Sequence, residues 1–233
     1  MDKILEPTDF SMLDTRQVIN LCLQRSNRIG KFVPSRKEAG DRWSSLMEEA
    51  CIKHRDEILA KVSAELNDIF LAIEPAIERV NPTSLADIGC GQAFIDLLIY
   101  QRFGCDLVLI DIEESEDIHF GFATTGAGYA SLDVARRFLV ANGVPDQAIT
   151  TINPKHEPIA DLPPVDMAIS LLSCGFHYPA HTYDAFFSTQ VSKAILLDCR
   201  RGQGGHETLA RHGEVSIMQS GRKHDCLLCM KQT

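Results

Sequence analysis

Apolar residues recur every three or four positions over much of the first third of the chain. This spacing puts them on one helix face, so the pattern after residue 42 predicts one long amphipathic helix or two abutting ones. The members of the stripe are Trp43, Leu46, Met47, Ala50, His54, Ile58, Val62, Leu66, Ile69, Phe70 and Ile73. Ser35 and Glu38 have the spacing of a capping box, and Pro75 is expected to end or kink the helix. An earlier helix is predicted from about residue 11 to 24.

Short apolar runs alternate with helical patterns from residue 84 onward. The predicted strands lie at 84–88, 107–110, 148–152, 166–172 and 194–198. The predicted helices between them lie at 93–100, 132–142 and 182–191. This alternation is typical of a parallel sheet covered by helices on both faces. Two last runs, at 215–219 and 226–230, flank a turn and predict a hairpin. We therefore expect an α/β domain at residues 81–233, preceded by a helical extension at residues 1–80.

A glycine-containing turn, Asp87-Ile88-Gly89-Cys90-Gly91, follows the first predicted strand. Its glycines permit a tight turn and let the backbone come close to a ligand, which the N-terminus of the next helix would face. Asp111 stands at the end of the second predicted strand, where a carboxylate can accept two hydrogen bonds from a ribose diol. Together these features indicate a nucleoside-binding half-site. A glycine turn without a ligand is the alternative, and the downstream Asp111 argues against it.

The residues after the turn narrow the choice of nucleoside. A dinucleotide fingerprint needs a Gly or Ala three positions after the second glycine, and Phe94 occupies that position. A nicotinamide or flavin dinucleotide is therefore disfavoured. A P-loop is excluded, because no Gly-Lys-Ser or Gly-Lys-Thr element is present.

Composition and charge limit the classes of partner. The chain has 233 residues, of which 45% are hydrophobic, and a net charge of -9. An acidic chain of this kind argues against general nucleic-acid binding, which needs clustered Lys and Arg. The first residues lack the apolar run of a signal peptide, and the longest apolar run, 167–176, is too short to span a bilayer. We therefore expect a soluble cytoplasmic protein with no membrane partner.

Eight cysteines are present, and without a secretion signal they are expected to be free thiols. Cys226 and Cys229 form a Cys-x-x-Cys with His224 nearby, which suggests zinc as one interpretation. However, residues three apart on a strand face opposite sides, and a second Cys-x-x-Cys is missing. The expectation is therefore that no metal is bound. Cys90 is interpreted as a small packing residue in the turn rather than a nucleophile.

The segment Asp87-Ile88-Gly89-Cys90-Gly91-Gln92-Ala93 resembles the Asp-x-Gly-x-Gly-x-Gly motif of class I S-adenosylmethionine-dependent methyltransferases, with Ala93 in place of the last glycine. The resemblance covers about residues 80–233. It implies a Rossmann-like sheet of seven strands with a C-terminal antiparallel hairpin, and S-adenosyl-L-methionine as the cofactor. The cofactor-binding positions that it implies are Asp87, Gly89, Cys90, Gly91, Ala93, Asp111, Ile112 and Leu172.

The resemblance also assigns roles to two later segments. Residues 153–157 follow the third strand, where the family usually has an acidic or amide residue that faces adenine, but they depart from the usual Gly-Asp-Ala pattern. Residues 170–178 follow the fourth strand and correspond to the segment that borders the cofactor and the methyl acceptor.

A protonated alcohol is a poor nucleophile, so methylation of a hydroxyl benefits from a base. His177 is the candidate catalytic base, because it follows a strand end and imidazole titrates near neutral pH. In the alternative, His177 only forms hydrogen bonds within the loop and proximity suffices for transfer. Two roles stay open for four further residues: they line the acceptor pocket, or they have a packing or structural role. These residues are Tyr178, His181, Tyr183 and Asp198.

Two features leave the interpretation open. The glycine-rich loop at 117–129 is either a lid over the substrate or a surface excursion. The helical stripe is core, a lid, or the contact face of a homodimer.

A narrower likeness to O-methyltransferases predicts a small-molecule or saccharide acceptor. The alternatives are an RNA or protein methyltransferase, with residues 25–37 as a local basic patch, and a non-catalytic protein of the same fold.

Overall fold

The computed structural model describes residues 5–24, 31–113 and 131–232. The predicted glycine-rich lid at 117–129 lies outside these residues, as does most of the basic loop before Lys31. The chain forms two compact units: Pro7–Ile69, and Phe70–Thr233 together with Met1–Glu6. We describe each unit separately.

Four helices begin the fold, and the first three lie within the smaller unit. The four are α1 (Thr15–Gln24), α2 (Arg36–Ala39), α3 (Trp43–Lys53) and α4 (Arg55–Val80). The long stripe is thus divided between two abutting helices, α3 and α4, with His54 between them outside helical geometry. Helix α4 continues through Pro75 to Val80, so Pro75 does not end this helix, and the alternative prediction of a kink stays a prediction. Buried Ile73 and Ala76 on either side of Pro75 supply packing that offsets the lost hydrogen bond.

Local hydrogen bonds fix the entry to these helices. The backbone N–H of Ser35 donates to Glu38 Oε2 at 3.0 Å, and the Glu38 N–H donates to Ser35 Oγ at 3.4 Å. This reciprocal pair confirms the predicted capping box. The Arg55 guanidinium donates to the carbonyl oxygens of Phe10 and Leu13 at 3.0 and 2.6 Å, which ties the first residues of this unit to the start of α4.

The larger unit is built on a seven-stranded sheet. Its strands are β1 (Ser84–Ile88), β2 (Asp106–Ile110), β3 (Ile149–Ile152), β4 (Val165–Ser170), β5 (Val191–Arg200), β6 (Gly213–Ser220) and β7 (His224–Lys231). The strand order is β3-β2-β1-β4-β5-β7-β6. The first five strands are parallel, and β7 pairs antiparallel with both β5 and β6. The predicted parallel sheet with a C-terminal antiparallel hairpin is confirmed.

Four further helices belong to this unit: α5 (Phe94–Phe103), α6 (Leu132–Ala141), α7 (Asp184–Thr189) and α8 (Gly205–Ala210). The predicted cap of α6 is confirmed, since Ser131 Oγ accepts from the Val134 N–H at 3.4 Å. The helix predicted at 182–191 is shorter, because a 3-10 turn precedes α7 and β5 already begins at Val191. Helix α8 was not predicted; it has only six residues and so carries little periodicity.

The sheet topology determines where a ligand can bind. Strand β1 pairs with β2 on one side and with β4 on the other, so the chain reverses its direction across the sheet at β1. In sheets of this kind ligands bind outside the carboxyl ends of the strands at such a reversal. Among the described residues, no helix combines the length and the apolar character needed to cross a membrane.

Candidate functional site

The glycine turn closes tightly over the end of β2. The Gly89 N–H donates to the Ile110 carbonyl oxygen at 2.6 Å, and the Cys90 N–H reaches the same oxygen at 3.4 Å. Gly89 and Gly91 both have positive φ angles, of 83° and 60°. Ala93, at the N-cap of α5, is also left-handed with a φ of 57°, a conformation that glycine adopts most easily. This geometry explains why the motif that this segment resembles has glycine where this chain has Ala93.

Asp111 joins the turn to the end of β2. Its Oδ2 accepts a hydrogen bond of 2.8 Å from the Gly91 N–H. Burial raises the pKa of Asp111 to about 7, although the N–H groups of Gly91 and Ile112 act in the opposite direction. The structure thus brings together the predicted positions Gly91, Asp111 and Ile112 at the carboxyl edge of the sheet.

The segment after β4 is fastened to the end of β1. A Cβ atom built on Gly89 would overlap the Ser173 hydroxyl, so only glycine leaves room for that side chain. Ser170 Oγ donates to the Ile88 carbonyl oxygen at 2.5 Å and accepts from the Cys174 N–H at 2.8 Å. These contacts place the predicted acceptor segment directly beside the glycine turn.

Leu172 has a left-handed backbone, with a φ of 56°, which is unusual for a bulky residue. Its N–H donates to Asp198 Oδ2 at 3.1 Å. Asp198 lies in β5, is 8% exposed, and has His224 Nε2 at 3.9 Å from its other oxygen. Asp198 therefore holds the strained backbone at Leu172, which is a structural role at the edge of the site.

His177 lies on a well-anchored loop. Its backbone N–H donates to the Ser173 carbonyl oxygen at 2.7 Å, and its ring contacts the edge of Phe176 at a centroid distance of 5.1 Å. The Arg200 guanidinium lies over the ring of the same Phe176, with its Cζ 4.5 Å from the ring centroid. Its Nε also donates to the Phe176 carbonyl oxygen at 3.0 Å. The His177 side chain is half-buried.

Three further candidates in this region differ in burial. Tyr178 and Tyr183 belong to the buried core, where burial raises the pKa of both phenols. Both side chains therefore pack in the core. This is the structural role, one of the two that the sequence left open. His181 is exposed.

The segment after β3 contains an amide that contacts a second acidic residue. Asn153 Nδ2 donates to Glu113 Oε2 at 3.4 Å, and Asn153 Oδ1 accepts from the Lys155 N–H at 3.0 Å. Glu113 also accepts the Leu132 N–H at the start of α6, at 3.3 Å. Sequence analysis missed Glu113, although a second carboxylate two positions after Asp111 was a usable signal.

Asp87 and Asp96 lie beneath the glycine turn, and both are buried. Burial, followed by the charges of Asp96 and Asp111, raises the pKa of Asp87 well above its usual range. Burial also raises the pKa of Asp96 to about 7. Sequence analysis identified Asp87 and missed Asp96.

Cys90 and Cys229 are both free cysteines. Burial, with Asp111 as the next contribution, raises the pKa of Cys90 well above its usual range, which agrees with a packing role. The Cys229 thiol donates to the Leu209 carbonyl oxygen at 3.3 Å. In the described part of the chain, no three His, Cys, Asp or Glu side chains form a group suited to a metal ion. The absence of a metal requirement stays a prediction.

The fold is that of class I methyltransferases. The methyltransferase domain of the bacterial protein CtHen1-C superposes with a TM-score of 0.51 at 11% identity, over 73% of this chain and 98% of that one. Precorrin-6y C5,15-methyltransferase from Geobacter metallireducens GS-15 superposes with a TM-score of 0.46 at 15% identity, over 64% and 80% of the two chains. The bifunctional kinase-methyltransferase WbdD gives 0.47 at 18%, over 72% of this chain, which spans 39% of WbdD. No family model matches the sequence, and no curated protein matches it significantly.

Proposed function

We propose that this chain is an S-adenosylmethionine-dependent methyltransferase that methylates a hydroxyl group of a small molecule or saccharide. The observation that carries the proposal is the hydrogen bond between the Gly91 N–H and Asp111, at the carboxyl ends of β1 and β2. It joins a glycine turn, a helix N-terminus and an acidic strand end at the position where the strand order reverses. A ligand with a ribose and a polar tail suits these three features.

The residues present fit this cofactor. Gly89 and Gly91 present backbone without side chains, and the Asp111 carboxylate has lone pairs left for a ribose hydroxyl beside the bond from Gly91. Ile112 and Leu172 would border the cofactor at the ends of β2 and β4, as the family resemblance implies. When bound, the cofactor supplies a methyl group activated by a positive sulfonium sulfur.

The protein's own contribution is position and proton transfer. The Arg200–Phe176 contact fixes the loop that carries His177, and this loop follows β4. A fixed loop supports a role for His177 beside the acceptor. One imidazole nitrogen would take the proton of the acceptor hydroxyl as its oxygen becomes the nucleophile.

Charge supports a small acceptor over a polynucleotide. The chain carries 32 acidic and 23 basic residues, which disfavours electrostatic attraction of a phosphate backbone. A small hydroxyl compound does not need such attraction.

Two measurements test the proposal. Isothermal titration with S-adenosylmethionine, and with its demethylated product, should give binding of one molecule per chain. A labelled-methyl assay over saccharide, phenol, RNA and protein pools should then give transfer to a saccharide or another small hydroxyl compound. Transfer to RNA or protein would replace the acceptor class, and binding without transfer would favour a non-catalytic protein. A chain that binds neither ligand is not a methyltransferase.

We also propose that the helical extension at residues 1–80 influences the acceptor, as a lid or as a dimer contact. The apolar side chain of Ile52 in α3 is 63% exposed, so it can be changed without disturbing the core. Ile52→Ser should raise the acceptor KM if the extension is a lid, or shift the oligomeric state if it is a dimer face. An unchanged KM and an unchanged oligomeric state would reject both.

A further inference from the structure

Positive charge is concentrated where the β6–β7 turn meets the end of β5. Arg222 and Lys223 are exposed residues of that turn, and Arg200 and Arg201 stand at the end of β5. The Arg201 N–H donates to the Lys223 carbonyl oxygen at 3.1 Å, and Arg200 is paired with His224 across β5 and β7. We call these five residues the basic edge.

The basic edge lies on the same side of the sheet as the glycine turn. Strands β1, β4 and β5 are parallel, so their carboxyl ends meet at one edge of the sheet. Strand β7 runs antiparallel to β5, and its first residue, His224, therefore lies beside the carboxyl end of β5. Ligands of such sheets bind outside the carboxyl ends of the parallel strands. The basic edge thus belongs to the side of the sheet where a ligand is expected.

Phe176 connects the basic edge to the loop that carries His177. The centroid of its ring is 5.1 Å from that of His177 and 5.2 Å from that of His224, and both contacts are nearly perpendicular, at 86° and 89°. The Arg200 guanidinium lies over the face of the same ring. Because His177 and His224 contact one phenyl ring, a small molecule beside His177 is within reach of the basic edge.

The charge of the basic edge is only partly neutralised. Arg201 forms a bidentate pair with Asp225, to which its Nε and Nη2 donate at 2.9 and 2.7 Å. Asp198 Oδ1 lies 3.9 Å from His224 Nε2. The Arg and Lys side chains of the basic edge outnumber these two carboxylates, in a chain whose net charge is -9. The cluster therefore differs in sign from the protein as a whole.

The loop that follows Arg201 leaves space for a ligand. Gly202 and Gly204 have positive φ angles of 75° and 71°, and no heavy atom lies within 4 Å of the position that a Cβ would take at either residue. Backbone without side chains lets another molecule come close. A group bound beside Arg201 therefore meets no side chain from these two positions.

We propose that the methyl acceptor carries an anionic group, a phosphate or a carboxylate, and that the basic edge binds this group. Arginine donates to either group with its planar fork, and lysine attracts both as a point charge. The proposal rests on the proposed function, because it names the chemical class of the hydroxyl compound. The anionic group stays intact during transfer: the acceptor oxygen gains the methyl group and loses its proton. A polynucleotide would need phosphate contacts along an extended surface, whereas these cations occupy one hairpin turn and one strand end.

Binding of inorganic phosphate tests the basic edge without an acceptor or a cofactor. Isothermal titration at low ionic strength compares the parent with Arg222→Glu, Lys223→Glu and the double variant. Each single change should weaken phosphate binding about 3- to 10-fold, and the double change more than either, because each places a negative charge beside the anion. Arg79→Glu makes the same change of charge at an exposed position in the last turn of α4, just before the amino end of β1, and should leave the affinity at the parent value. A parent that binds no phosphate, or equal affinities for the parent and the double variant, would overturn the proposal.

The labelled product identifies the anionic group. The labelled-methyl assay is run on the small-molecule fraction of a cell extract and, separately, on an RNA pool. The product from the small-molecule fraction should be retained on an anion exchanger at pH 7. Loss of retention after phosphatase treatment indicates a phosphate monoester, and retention that survives the treatment indicates a carboxylate. A product that passes through unretained, or label in RNA alone, would overturn the proposal.

The two experiments together separate this inference from the proposed function. Phosphate binding that depends on Arg222 and Lys223, without binding of S-adenosylmethionine, would reject the methyltransferase and leave an anion site. Transfer to a neutral compound, without phosphate binding, would keep the methyltransferase and reject the anionic acceptor.

Discussion

The Asp111 carboxylate accepts the Gly91 N–H through Oδ2 at 2.8 Å, and so links the glycine turn after β1 to the end of β2, twenty positions later in the sequence. The bond uses one of the two carboxylate oxygens. The Ile112 N–H also acts on this carboxylate. A carboxylate has about four lone-pair positions, so others are left for a ribose hydroxyl in the proposed complex. The same residue thus shapes the glycine turn and would bind the cofactor, and a substitution can be chosen that separates these roles.

Asp111→Asn should weaken S-adenosylmethionine binding about 10- to 100-fold, because it removes a charge-assisted hydrogen bond worth about 1.5–3 kcal/mol. The amide oxygen can still accept the Gly91 N–H, so the turn is retained. Isothermal titration measures the change. Asp106→Asn makes the same chemical change at an exposed position of β2 and should leave the affinity at the parent value. Equal affinities for the parent and Asp111→Asn would show that the end of β2 does not hold the ribose.

Gly89→Ala should destabilise the fold through two separate effects. The positive φ of 83° costs about 1 kcal/mol for alanine, and the new methyl group overlaps Ser173. Gly143→Ala has the same kind of backbone, with a φ of 86°, and open space around the new atom. Thermal unfolding should therefore show a loss of about 1 kcal/mol for Gly143→Ala and about 2–4 kcal/mol for Gly89→Ala.

The double variant Gly89→Ala with Ser173→Gly isolates the overlap. Removing the Ser173 side chain makes room for the methyl group, so the cost of Gly89→Ala measured in the Ser173→Gly background should approach that of Gly143→Ala. If the cost in this background is as large as in the parent, the close packing of the turn on the β4 segment is not what requires glycine.

Much of this fold follows from local sequence, and the remainder depends on contacts between distant segments. The strand at 84–88 was predicted with its observed bounds, because a buried parallel strand is a continuous apolar run ended by glycine. The glycine turn and Asp111 were found for the same reason, since turn chemistry is local. The motif contains no sign that Ser173 lies against Gly89, because the two residues meet only when β1 and β4 pair.

Asp96 illustrates the same limit within the site. It is the single charged residue in the apolar run from Phe94 to Ile99, and this alone predicts a polar group on a buried helix. Which group satisfies it depends on the placement of α5 on β1. Leu172 is a second example, because its left-handed backbone is stabilised by Asp198, twenty-six positions later in the chain.

Protonation of the Asp166 carboxyl in acid should lower the free energy of unfolding of the protein. Burial raises the pKa of its carboxyl, but the Thr83 N–H, the Lys193 ammonium and the Thr83 hydroxyl outweigh burial and lower it to about 2. The N–H and hydroxyl of Thr83 donate at 2.7 and 2.9 Å. Because the folded pKa lies below that of the unfolded chain, this stabilisation is complete above about pH 4 and is lost as pH falls towards 2.

Urea unfolding of the parent and Asp166→Asn between pH 6 and pH 3 measures this contribution. The variant should be less stable by about 1–2 kcal/mol at pH 6, a value reduced for partial exposure to solvent, and the difference should shrink at pH 3. Asp133→Asn removes an exposed ion pair within α6 and serves as the control, with little change at either pH. A difference that stays constant between the two pH values would contradict the lowered pKa.

His177→Gln should separate catalysis by a base from catalysis by proximity. If His177 takes the acceptor proton, turnover should fall by about 10²–10⁴-fold, the range for loss of a general base, while S-adenosylmethionine affinity stays unchanged. Glutamine is close to histidine in size and can form hydrogen bonds within the loop, but it cannot take up the proton. His181→Gln is the control, because it changes an exposed histidine in the neighbouring 3-10 turn.

The pH profile of turnover distinguishes the two roles further. With a histidine base, the parent's turnover should rise with pH as the imidazole loses its proton, and His177→Gln should lack this rise. A His177→Gln variant with turnover within about threefold of the parent and the same pH profile would exclude the base. Transfer would then depend on position alone, and the Arg200–Phe176 contact, which holds the loop beside the strand ends, would be the feature that matters.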